Sequence, residues 1–129
     1  MSEPVWLDLE AILVLHDEQI AEHGGASGLR DRGLLESALA RPRNAWSYVE
    51  GDLIALAAIY AGAIMRNHPF VDGNKRAGFL AAYAFLYVNG LELVADEGEV
   101  VVHCLALAAS QIDEAAFATW LRDHVSSRA

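Results

Sequence analysis

The chain has little of what would staple, anchor or electrify it. One cysteine, Cys104, stands among 129 residues, so no internal disulfide can form. No Cys/His cluster has the spacing of a zinc site. Nine Lys and Arg face eighteen Asp and Glu, and Lys75 is the single lysine. The net charge of −9 argues against nucleic acid as the main partner, because phosphate binding needs a basic face. Three prolines, ten glycines and no repeat of fixed period exclude low-complexity, fibrous and solenoid readings. The longest apolar run, Leu53 to Met65, is broken by Gly62 and falls short of the about 20 residues that cross a bilayer. Met1-Ser2-Glu3-Pro4 has no basic leader region. These absences predict a single domain over residues 1–129, without membrane contact and cytoplasmic.

What is present is apolar and helical in period. Hydrophobic residues make up 54%, enough for a core at this length. Asp8 reads as the cap of a first helix with Leu9, Ile12, Leu13, His16 and Ile20 on one face, ended by Gly24-Gly25. A second helix opens near Asp31, buries Leu34, Leu35, Ala38 and Leu39, and is expected to stop before Pro42. Arg41 to Gly51 lacks helical period and reads as an extended loop or small hairpin. Asp52 caps a third helix to about Asn67, apolar nearly all round and therefore central. A fourth runs from Asn74 to Asn89-Gly90, a fifth from Glu99 to Ala109, and a sixth from Asp113, burying Phe117, Trp120, Leu121 and Val125. The fold class is all-α: a compact bundle of about six helices with a short extended flap.

Charge is unevenly spread. Seven of the nine basic residues lie between Arg30 and Arg76 with five acids, a net of +2; the remainder carries two against thirteen, or −11. Such gathering suits either the focusing of cations on a small anionic ligand or a solvated turn and helix decorated by Arg30 to Arg43.

One segment is too rich for a plain connection: His68-Pro69-Phe70-Val71-Asp72-Gly73-Asn74-Lys75-Arg76. The first turn of a helix presents unpaired N–H groups and partial positive charge, an anion site. Gly73 lets a phosphate approach that backbone. Lys75 and Arg76 add full charges where cations oppose the helix dipole, which suits holding a polyanion. Asp72 beside a polyphosphate needs a divalent cation between them, and Mg²⁺ takes one carboxylate plus phosphates. Asn74 is expected to cap the helix, to steady phosphate or loop groups through its amide, or both. His68 carries an imidazole, the side chain that most often serves as a general base. The histidines at 16, 23, 103 and 124 read as core, cap or surface residues. Together the segment points to nucleotide-dependent group transfer to a hydroxyl. It is neither a P-loop nor a zincin motif, and the kinase signature set is missing.

This segment resembles the signature of the Fic/Doc family, in particular its death-on-curing (Doc) toxin branch. Gly24-Gly25, Gly28-Leu29-Arg30-Asp31, Leu34-Leu35-Glu36-Ser37-Ala38, Arg41-Pro42 and Leu86 to Gly90 are similar to the same branch. The resemblance implies a helical bundle with the signature loop between two central helices, and ATP with Mg²⁺ as cofactors. It makes His68 the general base, Asp72 the Mg²⁺ ligand, and Gly73, Asn74, Lys75 and Arg76 the phosphate cradle. It also makes the Arg41–Gly51 loop, with Arg41, Arg43, Trp46 and Tyr48, a flap on which a target docks in extended form.

Departures within the signature select the branch. AMP-transferring members carry Gly where this chain has Lys75 and a second Arg where it has Phe79. Lys75 and Phe79 resemble Doc instead, implying a protein kinase that phosphorylates a threonine of elongation factor Tu, halts translation, and is neutralised by a separate antitoxin. Gly73 is Ala in the best-known Doc motif, which keeps AMP transfer open as the alternative. A catalytically inert binding module is the third reading. The inhibitory pattern [ST]-x-x-x-E-[GN] of self-restrained members is missing, and Ser47-Tyr48-Val49-Glu50-Gly51 is one residue short of it.

Overall fold

A computed structural model describes residues 2–49 and 51–128. It contains α1 (Leu9–His23), α2 (Arg32–Ala45), α3 (Leu53–Asn67), α4 (Asn74–Val88), β1 (Leu91–Leu93), α5 (Glu97–Ala108), α6 (Glu114–Arg122) and β2 (Val125–Ser127). None of these helices is long and apolar enough to cross a membrane.

The all-α expectation holds. α3 is the axis, with every residue from Leu56 to Met65 buried, and α2, α4, α5 and α6 pack around it. Small side chains let the helices close in. At Gly78 on α4, a Cβ would lie 2.9 Å from the Ala61 carbonyl oxygen and 3.0 Å from Met65 Cγ, so the α3–α4 crossing depends on that glycine. A rim of aromatic rings seals the bundle, with Trp6 stacked on Phe85 at 5.9 Å and Phe85 tilted against Tyr60 at 4.9 Å.

Helix starts follow the sequence closely. Asp8, Asp31, Asp52, Asp96 and Asp113 each cap a helix by accepting a backbone N–H, as short acceptors at that position do.

Three expectations are corrected. α2 does not stop before Pro42 but runs through it to Ala45. A proline so near the C-terminal end removes only one late helical hydrogen bond, and its ring is buried in the core. Arg41–Gly51 is consequently not an extended flap: Arg41 to Ala45 are helical, Trp46 to Val49 form turns, and Glu50 lies outside the described residues. The two strands went unread. β1 and β2 pair antiparallel, Leu91 with Ser127 and Leu93 with Val125, and three residues are too few to show alternation. Val125 therefore belongs to β2 rather than to the buried face of α6.

Candidate active site

The signature loop joins the end of α3 to the start of α4, and a second segment of backbone clamps it. The Pro69 carbonyl accepts from the N–H groups of Arg30 (2.7 Å) and Asp31 (3.0 Å), and Val71 N–H donates to the Gly28 carbonyl at 3.1 Å. Leu29 and Phe70 form an antiparallel bridge between these contacts. The Arg30 side chain completes the clamp, Nε donating to the His68 carbonyl at 2.7 Å and Nη2 to that of Asn67 at 3.1 Å. These bonds hold His68 in the left-handed region, φ 53°, ψ 53°, where a non-glycine residue costs about 1–2 kcal/mol. Its imidazole is exposed and faces the cavity that the loop encloses.

From below, the loop rests on α1. His16 is 1% exposed, stacks on Phe70 with ring centroids 3.8 Å apart, and donates from Nε2 to the Asp72 carbonyl at 2.8 Å. A carbonyl only accepts, so the Nε2 proton is fixed by its partner. Sequence reasoning had placed His16 on the apolar face and missed its contact with the site. Its one signal, a histidine amid Ile12 and Ile20, does not distinguish a core residue from a loop support.

Asn74 corrects an expectation. Gly73, at φ 76°, is the N-cap of α4, and no side chain caps that helix. The Asn74 amide is instead buried: Oδ1 accepts from Phe70 N–H at 2.9 Å and Nδ2 donates to the Phe70 carbonyl at 3.0 Å. With both polar ends engaged on Phe70, it shapes the loop.

The start of α4 differs from the other five described helices. The first helical bond there is Ala77 N–H to the Gly73 carbonyl, at 2.9 Å. The N–H groups of Asn74, Lys75 and Arg76 thus precede the ladder and meet no capping oxygen. Gly73 also sits in the left-handed region, φ 76°, which glycine adopts without a Cβ penalty, so the departure from alanine at this position has a local backbone reason.

His68, Asp72, Gly73, Asn74, Lys75 and Arg76 line one cavity of about 440 Å³, together with Gln19, Met65 and Ala108. Lys75 is exposed, whereas Arg76 is half-buried with Nη1 3.2 Å from His23 Nε2. Asp72 is the one carboxylate on the cavity wall. Its Oδ1 accepts from Gly73 N–H at 2.8 Å and Oδ2 from Ala26 N–H at 3.3 Å, which leaves a lone pair on each oxygen.

The four residues assigned to the flap lie elsewhere. Arg41 donates two 2.8 Å bonds to Glu114, which push its guanidinium pKa above the ordinary value against the opposing effect of burial. Arg43 sits over the Trp6 ring, and Trp46 meets Trp6 edge-on at 6.4 Å. Tyr48 is 86% exposed. Asp31, at the opposite end of α2, touches the signature loop, and even Arg41, the nearest of the four, lies about 15 Å further along that helix. The segment beside His68 is Gly24–Asp31, of which Leu29 bridges to Phe70.

A model of the Fic/DOC family matches residues 6–86. The chain belongs to the Fic/Doc family. It is 44% identical over 75 residues to a protein named Toxin Doc from Mycolicibacterium smegmatis, a match covering 57% of this chain and 58% of that one. Against Protein kinase doc of Escherichia phage P1 the identity is 34% over 114 residues, covering 88% and 90% of the two chains. The chain thus spans just over half of the mycobacterial relative and nine-tenths of the phage one. The Fic/Doc match takes in α1 to α4 up to Leu86, and with them every residue lining the cavity except Ala108.

Beside this Fic/Doc loop lies a larger cavity of about 640 Å³ between α1, α4 and α5, sharing Gln19, Lys75 and Arg76 with the first. Cys104 lines it, but burial pushes its thiol up to about 12 despite the nearby Arg76, so it is no nucleophile at neutral pH.

Proposed function

We propose that this chain is a Doc-type toxin that moves the γ-phosphate of ATP to a Ser or Thr hydroxyl of a translation protein. The target class is elongation factor Tu-like, and a separate antitoxin chain restrains the toxin. The observation that carries the reading is the convergence of an imidazole, one carboxylate, an uncapped helix start and two cations on one cavity.

A magnesium ion fits the donor set. No three His, Cys, Asp or Glu among the described residues gather as a metal cage, whereas Asp72 offers the single carboxylate that Mg²⁺ takes when phosphates complete its shell. Bound there with ATP, the ion supplies charge neutralisation at the transferring phosphoryl group.

The chain's own residues divide the remaining work. The open N–H groups of Asn74, Lys75 and Arg76 hold phosphate oxygens, and the two cationic side chains add charge beside them. His68 accepts the proton of the attacking hydroxyl. Leu29 bonds to the loop through neither its own N–H nor its carbonyl, since Gly28 and Arg30 make the flanking bonds. That edge is open to a target segment in extended form.

Half-buried Phe79 supports phosphoryl rather than AMP transfer: it gives an apolar wall to the larger cavity where a second arginine would orient the nucleotide for AMP transfer. The test is incubation of the protein with cell lysate, magnesium and ATP labelled at the γ or the α phosphate. Label from the γ position alone is expected. Label from the α position would replace the kinase reading with AMP transfer.

Asp72→Asn should abolish the Mg²⁺-dependent part of ATP binding while the fold persists, because the exposed side chain keeps one oxygen for the Gly73 N–H. Ligand at one hundred times its Kd stabilises by about 2.7 kcal/mol, which is easily seen in melting. A variant whose Mg·ATP-induced melting shift equals that of the parent removes the metal role from Asp72.

A further inference from the structure

Gln19 lies one turn beyond His16 on the face of α1 turned to the signature loop, and is 6% exposed. Its Oε1 is one of two buried side-chain polar atoms among the described residues without a hydrogen-bond partner. The other, Trp120 Nε1, belongs to the aromatic cluster of α6 with Phe117 and His103. Burial of an unpaired acceptor destabilises a free protein, so such an atom calls for an explanation.

The position of Gln19 supplies one. Its Oε1 stands over Gly73, where α4 begins, and Gln19 with Lys75 and Arg76 forms the wall common to both cavities. On one side of that wall are the groups that bind phosphate. On the other are the apolar side chains Phe79, Leu80 and Tyr83. A phosphate oxygen offers an acceptor no donor, so the atom that satisfies Oε1 must come from elsewhere on the ligand. In a nucleotide, the ribose hydroxyls stand between the phosphates and the base.

We infer that Gln19 is a nucleotide-binding residue whose Oε1 accepts a hydrogen bond from a ribose hydroxyl at the junction of the two cavities. The inference rests on the proposal that the signature cavity takes Mg·ATP. The same O–H chemistry is carried by water on a divalent ion at Asp72, and the test separates the two sources.

The experiment titrates Mg·ATP and Mg·2′,3′-dideoxy-ATP into the parent protein and Gln19→Leu by calorimetry, with thermal melts of both free proteins. The parent should bind ATP about tenfold more tightly than the dideoxy analogue, the factor for one net hydrogen bond. Gln19→Leu should bind both at the weaker level, and free of ligand it should melt at or above the parent, since the unpaired acceptor is gone. Equal ATP affinity in parent and variant overturns the inference, as does a lower melting temperature for the free variant, which would mark Gln19 as structural. An equal loss for ATP and the dideoxy analogue overturns the ribose assignment in favour of the ion's water. Failure of the parent to bind Mg·ATP overturns the kinase reading together with this one.

Discussion

His68→Ala should lower phosphate transfer by about 100- to 10,000-fold, the contribution of a positioned general base. The imidazole is exposed and makes no side-chain hydrogen bond among the described residues, so the change removes chemistry with little structure. Stability should shift by no more than about 0.5 kcal/mol, as for most surface substitutions. His68→Asn sharpens the test, because asparagine tolerates the left-handed backbone that Arg30 enforces and supplies no base. Transfer rates of labelled phosphate, with melting curves alongside, decide the matter. An unchanged transfer rate in both variants would remove the base role from His68, and growth arrest that persists without transfer would reduce the molecule to an inert binding module.

The second large effect belongs to Asn74. Asn74→Ala leaves the N–H and the carbonyl of Phe70 buried without partners, at roughly 1–3 kcal/mol for each unsatisfied group. A net loss of about 2–4 kcal/mol is expected, together with reduced transfer, because Phe70 anchors the loop between His68 and Asp72. In a domain of this size that lowers the melting temperature by roughly 10 °C. The measurement also distinguishes two roles. A phosphate-binding amide would leave melting of the free protein intact and weaken nucleotide alone, whereas a loop brace lowers both.

Much of the molecule was legible from residue order. Helix starts at Asp8, Asp31, Asp52 and Asp113 are local events, in which a short acceptor meets N–H groups two or three residues ahead. The centrality of α3 follows from an apolar circumference, and the loop chemistry from nine consecutive residues. The misread elements had weaker local signals. Pro42 is a helix breaker on average, yet the packed end of α2 accommodates it. The strands β1 and β2 are short and lie more than thirty residues apart, so their pairing is a tertiary event.

The same division runs through the site. His68, Asp72, Gly73, Lys75 and Arg76 are neighbours in the chain, and covalent geometry with the helix period keeps them on one cavity. By itself, then, the sequence determined the helical class and the chemical content of the loop. Only the tertiary structure decided which groups brace that loop: His16 below Asp72, Arg30 on the ends of α3, and Gln19 over Gly73. It also made Arg41–Ala45 helical and laid Gly24–Asp31, not Arg41–Gly51, against the loop. These contacts join residues 37 to 56 positions apart, or place one end of a helix beside the loop and the other about 20 Å away. No local pattern encodes such distances, because they are set by how α1 and α2 pack around α3 and α4.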